Sequence, residues 1–179
     1  GMKFDTDIAI VGGGLNGPAL ALALAQAGQR VTLIDALGVT PRKDAKFDGR
    51  SYALALTSVR LLEGLGVWDA IAEHAQPMLE IKVTDGRAGE GPSPFFMHFD
   101  HAEIEEGPMG HMVQDRHLRR ALLEAVKADK RIMTLNKQSV VSQAVDTSGV
   151  TLTLASGKSL RAQLLVCADG RCSGTGARA

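Results

Sequence analysis

Three glycines near the start of the chain have the spacing of a phosphate-binding turn. Gly12, Gly14 and Gly17 form the pattern G-x-G-x-x-G, with Leu15 inside it. In such a turn the first glycine permits a tight bend, the second lets backbone approach a pyrophosphate, and the third allows a helix to pack closely on a strand. The N–H groups and positive dipole end of the helix then favour an anion. The pattern predicts a dinucleotide site, although a tight turn without a ligand would have the same spacing.

The residues around the glycines predict the β-α-β unit that such a site requires. Residues 7–11 and 31–34 are short apolar runs typical of buried strands, and residues 15–27 are rich in leucine and alanine, which favour a helix. Asp35 follows the second run, 18 residues after Gly17. Its carboxylate can accept hydrogen bonds from both ribose hydroxyls of an adenosine. Because this requires a 2′-hydroxyl, the site is predicted to bind NAD or FAD rather than NADP.

Two further helices are predicted from the spacing of apolar residues. The first is a short leucine-rich helix near residues 61–65, with Thr57 or Ser58 as its cap. The second is predicted to be capped by Asp115. Its buried stripe, at positions i, i+4 and i+8, consists of Leu118, Leu122 and Val126.

The strands outside the β-α-β unit fall into two groups. Residues 138–161 contain two turn signals and predict a β-meander, and residues 163–168 are apolar on both faces, as expected of an inner parallel strand. Residues 76–107 contain two candidate strands among loops rich in glycine and proline. We therefore predict an α/β fold: a Rossmann-like dinucleotide-binding domain with a β-meander over residues 1–75 and 108–179, and part of an inserted substrate-domain sheet over residues 76–107.

Composition excludes several classes of function. Twenty basic residues balance twenty acidic ones, so no overall field favours nucleic acid or an anionic membrane. The apolar runs fall far short of the roughly 20 residues that a membrane helix needs, and no secretory signal is recognised, so we expect a cytoplasmic protein. His98 and His101 stand among acidic residues, but positions i and i+3 of a strand point to opposite faces. We interpret them as part of a solvated loop and predict no metal site.

The order of the motifs resembles that of the aromatic-ring flavoprotein hydroxylases of the para-hydroxybenzoate hydroxylase fold, and more closely the ubiquinone-biosynthesis hydroxylases. The matching stretches are residues 7–35, 48–54 with 65–68, 110–114 with 118–122, and 164–170. The resemblance implies that the dinucleotide-binding domain binds FAD and that NAD(P)H reduces the flavin. It further implies that oxygen is transferred to a phenolic ring, that of a polyprenylated ubiquinone precursor.

The resemblance also implies roles for residues on the flavin side of the cofactor. Arg50 would lie beside the pyrophosphate and the ring, where its fork of donors suits phosphate oxygens. Gln114 would hydrogen-bond the ribityl chain, with Arg116 supporting it. From the residues alone, the alternatives are that Arg50 is a solvated loop charge and that Gln114 is an ordinary polar residue before a helix.

Further roles are implied for the second half of the chain. Val141 would offer its backbone to the adenine, and Asp169 with Gly170 would form an aspartate–glycine motif near FAD and NAD(P)H. Core packing for Val141 and a simple capping role for Asp169 remain open. One departure is Gly176, which stands where the family has an arginine. Because the family's later motifs are absent from these 179 residues, we expect an N-terminal part that is inactive alone.

The same resemblance sets the expected partners and leaves alternatives. The implied substrate is a small aromatic molecule. If that substrate is lipophilic, the protein is expected to contact a membrane peripherally, and partners in a biosynthetic complex are also implied. No side chain is predicted to be catalytic, since the flavin carries the chemistry. Another flavoprotein oxidoreductase of the same fold, or a catalytically inactive nucleotide-binding fragment, remains an alternative.

Overall fold

The β-α-β unit predicted at the start of the chain is present in the structure, a computed structural model that describes residues 3–12, 14–34, 51–78 and 110–168. Its β1 and β2 pair in parallel, from Ile8 opposite Val31 to Val11 opposite Ile34. In chain order the elements are β1 (Thr6–Val11), α1 (Asn16–Gln26), β2 (Val31–Ile34), β3 (Ser51–Ala55), α2 (Leu56–Gly64), α3 (Trp68–Ala72), β4 (Gln76–Met78), β5 (Gly110–Gln114), α4 (Asp115–Ala128), β6 (Ile132–Leu135), β7 (Val140–Val145), β8 (Val150–Leu154) and β9 (Ser159–Cys167).

The chain divides into two units, Gly1–Thr40 with Val126–Ala179 and Pro41–Ala125. The first unit contains a six-stranded sheet in the order β6-β2-β1-β9-β8-β7. Strands β6, β2, β1 and β9 run parallel, whereas β9, β8 and β7 form an antiparallel meander. The long β9 belongs to both parts, which confirms the predicted meander and the predicted parallel strand over its second half.

The core of the first unit lies between the parallel strands and the meander. It is a cluster of buried apolar side chains from β1, β2, β8 and β9: Ala9, Ile34, Val150, Leu152, Leu160 and Ala162. On β9, however, Leu164 is 54% exposed. The prediction that this strand is covered on both faces is therefore wrong at Leu164 within the part of the chain that the structure describes.

The second unit contains a three-stranded antiparallel sheet in the order β3-β5-β4. The predicted caps of its helices are wrong. The N-cap of α2 is Ala55, which makes no side-chain cap hydrogen bond. Asp115 is the first residue of α4, and its Oδ2 accepts a 3.0 Å hydrogen bond from Nε of Arg119 one turn later. The predicted stripe is confirmed, because Leu118, Leu122 and Val126 are all buried.

The predicted insertion over residues 76–107 falls, from residue 79 onward, outside the described residues, so its boundaries stay a prediction. Its first three residues form β4, which pairs with β5 from Gln76 opposite Met112 to Met78 opposite Gly110. Within the described ranges no helix has both the length and the apolar character needed to cross a membrane.

Candidate functional site

The turn between β1 and α1 needs its three glycines for two different reasons. Gly12 has φ 122° and Gly14 has φ 73°, a region in which residues with a side chain are strained. Gly17 is buried in the first turn of α1, where a Cβ would lie 3.0 Å from the carbonyl oxygen of Gly12 and 3.4 Å from Cδ1 of Leu33. Backbone conformation thus requires the first two glycines, and the close approach of α1 to the sheet requires the third.

The same turn leaves backbone accessible to a ligand. Among the described residues, a Cβ built on Gly14 would meet no atom within 4 Å. The N-cap of α1 is Leu15, which is buried and makes no side-chain cap hydrogen bond, and the first turn of α1 contains no acidic residue. The first N–H groups of a helix lack partners within the helix and favour an anion. A pyrophosphate fits this arrangement because it supplies both the acceptors and the negative charge.

The carboxyl ends of the three central parallel strands meet at the glycine turn. The N–H of Gly12 donates to the carbonyl oxygen of Ile34 at the end of β2 over 3.4 Å. The N–H of Ala168, directly after β9, donates to the carbonyl oxygen of Val11 over 2.8 Å. Ala168 also lies against the first turn of α1, because its Cβ is 3.9 Å from the position of a Cβ on Gly17. Ligands of open α/β sheets bind at this edge of the sheet.

Four of the predicted site residues fall outside the part of the chain that the structure describes: Asp35, Arg50, Asp169 and Gly170. In the sequence, Asp35 directly follows the last residue of β2, and Asp169 directly follows Ala168. Arg50 directly precedes β3 in the second unit. Their predicted roles stay predictions.

Val141 lies on the edge strand β7 of the first unit. Its side chain is 55% exposed, so the alternative that it is a core residue is wrong. The pairing of β7 with β8 shifts from Val140 opposite Leu154 to Ser142 opposite Thr153. The extra residue of such a bulge is left out of the ladder, so Val141 lies outside the regular pairing of β7 with β8, and its adenine contact stays a prediction.

Gln114 belongs to the second unit, where it ends β5 opposite Ser51 of β3. Its Oε1 accepts a 2.8 Å hydrogen bond from Nε of Arg116. Both side chains line a cavity of about 270 Å³, together with Ser51, His74, Gln76, Met112 and His117. Because Arg116 holds the carbonyl oxygen of the Gln114 amide, the amide N–H groups point away from Arg116, and Gln114 is set to act as a hydrogen-bond donor.

The cavity also contains two stacked histidines that the sequence analysis did not identify. The rings of His74 and His117 lie 3.7 Å apart between centroids, with planes 5° apart. Burial lowers the pKa of His117 below its ordinary value of 6.5. Electrostatic repulsion from His74, Arg116 and Arg120 lowers it further. No motif could have indicated this pair, because its members are far apart in sequence and belong to different elements.

Comparison with protein families identifies the chain's relatives. The model of a family described as "FAD binding domain" matches residues 5–179. The chain is 42% identical to the ubiquinone hydroxylase UbiL of Rhodospirillum rubrum over 165 residues, and 36% identical to the 3-demethoxyubiquinol 3-hydroxylase of Escherichia coli over 167 residues. Each match covers 92% of this chain, but only 37% and 41% of the relatives. The chain thus spans about two fifths of the length of these relatives.

Solved structures support the fold independently. A mutant of PqsL from Pseudomonas aeruginosa matches with a TM-score of 0.67 and 22% identity, over 92% of this chain and 43% of that chain. A mutant of 2-methyl-3-hydroxypyridine-5-carboxylic acid oxygenase matches with a TM-score of 0.65 and 24% identity, over 97% of this chain and 41% of that chain. At this identity the likeness concerns the fold, and it confirms the predicted Rossmann-like α/β architecture with a mixed sheet.

Proposed function

Because this chain belongs to the family of FAD binding domains, its cofactor is FAD, and we propose that it forms the FAD-binding part of an aromatic-ring monooxygenase. The observation that carries the proposal is the turn from β1 to α1. There Gly17 brings the uncapped start of a helix against the sheet, and Gly14 exposes backbone at the point where the strand ends meet. Backbone N–H groups at such a place bind a pyrophosphate through hydrogen bonds and the helix dipole.

The first unit would hold the adenosine diphosphate half of FAD. In this assignment the turn residues Gly12, Gly14, Leu15 and Gly17 cradle the pyrophosphate. The carboxylate of Asp35 accepts hydrogen bonds from the adenosine ribose, and the exposed backbone at the Val141 bulge contacts the adenine. The proposal is supported by the position of Asp35 directly after β2, whose last carbonyl accepts from Gly12.

Four residues are proposed to contact the flavin half or the reductant. Gln114 would donate to the ribityl hydroxyls through its amide N–H groups, in agreement with the bond that its Oε1 accepts from Arg116. Arg50 would contact the pyrophosphate and the ring. Asp169 and Gly170 would lie near the cofactor and the site at which NAD(P)H reduces it.

The substrate is proposed to be a phenolic ring on a lipophilic tail, since the two relatives named above are ubiquinone hydroxylases. When bound, the flavin supplies the redox chemistry that activates oxygen with electrons from NAD(P)H. The residues of this chain bind and orient the cofactor, and none is needed as a nucleophile. A lipophilic substrate also implies peripheral contact of a cytoplasmic protein with a membrane.

The proposal is tested by FAD titration of the flavin-free protein and its Asp35→Ala variant. Loss of hydrogen bonds to a charged group costs roughly 1.5–3 kcal/mol, so the dissociation constant should rise roughly 10- to 150-fold. Asp69→Ala, an exposed aspartate on α3, is the matched control and should bind FAD as the wild type does. Equal affinity of all three proteins would contradict the role of Asp35.

Oxidation of NADH or NADPH by the flavin-loaded protein, stimulated by a ubiquinone-type phenol, tests the activity.

A further inference from the structure

The stacked pair of His74 and His117 joins two elements of the second unit. His74 follows α3, and His117 lies in the first turn of α4. With centroids 3.7 Å apart and planes only 5° apart, the rings are in full face-to-face contact. Such a contact suits two neutral imidazoles, whereas two imidazolium rings would repel each other at this distance.

The charged groups around His117 also favour its neutral form. Arg116 and Arg120 of α4 disfavour a proton on His117, and Glu73 at the end of α3 is the acidic group that favours one. Nε2 of His74 lies 3.5 Å from Oε1 of Glu73. The strands add uncharged residues to the cavity wall: Ser51, Gln76, Met112 and Gln114. Nδ1 of His117 is buried without a hydrogen-bond partner among the described residues, so a proton there would have no acceptor.

The pair lies directly beside the residues assigned above to the flavin. His117 is the neighbour of Arg116, and Arg116 fixes the amide of Gln114 through a 2.8 Å hydrogen bond. All four side chains line the same cavity. A rearrangement of the first turn of α4 would therefore move the guanidinium that orients Gln114.

We propose that His117, stacked on His74, is a positioning residue that holds Arg116 and Gln114 in their binding arrangement, and that protonation of His117 separates the rings and weakens flavin binding. The inference rests on the proposed function, because it takes the role of Gln114 from there. It assigns to the two histidines a pH-dependent control of cofactor affinity.

The test compares the pH dependence of FAD affinity in three variants and in the monooxygenase of which this chain is proposed to form the FAD-binding part. His117→Phe keeps a stacking ring that cannot be protonated, and His117→Gln is a second variant for the case that Phe disturbs folding. His111→Phe is the matched control, since His111 lies on β5 but packs edge-on against Trp68, with centroids 5.1 Å apart, outside the cavity lining. Dissociation constants are measured by flavin fluorescence between about pH 7.5 and about pH 5.5, a range that spans histidine titration.

We expect the wild type and His111→Phe to lose FAD affinity severalfold as the pH falls, and His117→Phe to keep its affinity nearly constant. A pH profile of His117→Phe and His117→Gln that follows the wild type would overturn the inference and leave the proposed function intact. Measuring Gln114→Ala near neutral pH separates the two. Unchanged affinity in that variant would overturn the proposed role of Gln114, and with it the reason for a positioning pair.

Discussion

The α-carbon of Gly17 faces the carbonyl oxygen of Gly12 so closely that a Cβ on Gly17 would lie only 3.0 Å from that oxygen. Backbone cannot yield as the end of a flexible side chain does, so Gly17→Ala should push α1 away from the strand. Overpacking of this kind costs typically about 1–3 kcal/mol of unfolding free energy. The displaced helix start should also weaken FAD binding.

Gly64→Ala is the control for this prediction. Gly64 ends α2, and among the described residues no atom lies within 4 Å of a Cβ built there. Alanine has the higher helix propensity, by up to about 1 kcal/mol, so this variant should be as stable as the wild type or slightly more stable. Urea unfolding measures both. A Gly17→Ala variant no less stable than Gly64→Ala would show that the close approach is not a constraint.

The elements predicted best were those with a strong local pattern. The apolar runs of β1 and β2, the glycine spacing, and the stripe of Leu118, Leu122 and Val126 all gave correct elements, because hydrophobic periodicity and glycine conformation are properties of neighbouring residues. The resemblance then supplied the cofactor, which the glycine turn alone left open between FAD and NAD.

The features that were missed depend on tertiary contacts. Strands β3 and β5 are short and were not predicted, since each is defined by its pairing partner rather than by alternation. The cap of α2 was assigned to Thr57 or Ser58 by residue type, but the helix begins earlier, at Leu56. The stack of His74 on His117 has no sequence signal, because only folding brings the two residues together.

Acid should lower the stability of the folded state partly through protonation of Asp7. The backbone N–H of Arg30 donates to its Oδ2 over 2.8 Å, and this bond, followed by that from the Arg30 side chain, holds the pKa of Asp7 below its ordinary value of 3.8. A carboxylate with a lowered pKa stabilises the folded state above the unfolded pKa, and this stabilisation is lost as the pH falls through the folded pKa. Asp7→Asn should therefore be less stable than the wild type near neutral pH.

The difference between the two proteins should shrink as the pH falls below 3.8, the ordinary pKa of an aspartate. Melting temperatures measured across this range check the prediction, with Glu124→Gln on the exposed face of α4 as the control. A difference between Asp7→Asn and wild type that stays constant down to the lowest pH would mean that the carboxylate's charge contributes nothing.

Arg161 forms hydrogen bonds to the turn between β7 and β8. Its side chain is only 13% exposed, and its guanidinium donates to Oγ1 of Thr151 over 2.7 Å, to Oδ1 of Asp146 over 2.9 Å, and to the hydroxyl of Ser148. Arg161→Met keeps the aliphatic stem but removes all these donors, whereas Oδ1 of Asp146 keeps the bonds that it accepts from Ser148 and Gly149. We expect the melting temperature to fall by several degrees. The control Arg60→Met, at an exposed position of α2, should leave the melting temperature unchanged. Equal melting temperatures of Arg161→Met and the wild type would show that the backbone alone stabilises the turn.

The 179-residue chain should recognise mainly the adenosine diphosphate half of FAD. The adenosine diphosphate half is proposed to lie at the glycine turn of the first unit, where α1 begins without a side-chain cap and Gly14 is exposed. Gln114, the residue proposed to bind the flavin half, lines a cavity in which six of the seven lining residues have polar side chains. Burial of an aromatic ring stabilises a complex in proportion to the apolar area removed from water, and these residues provide little such area.

We therefore expect the isolated chain to bind ADP and FAD weakly and with similar affinity, within about threefold, which corresponds to less than about 1 kcal/mol. Isothermal titration with ADP, FAD and riboflavin measures this directly, and Asp35→Ala should weaken ADP and FAD equally. Riboflavin, which lacks the adenosine diphosphate, should not bind measurably. Binding of FAD far more tightly than ADP would mean that this chain alone encloses the flavin ring, and the expectation that it recognises mainly the adenosine diphosphate half would be wrong.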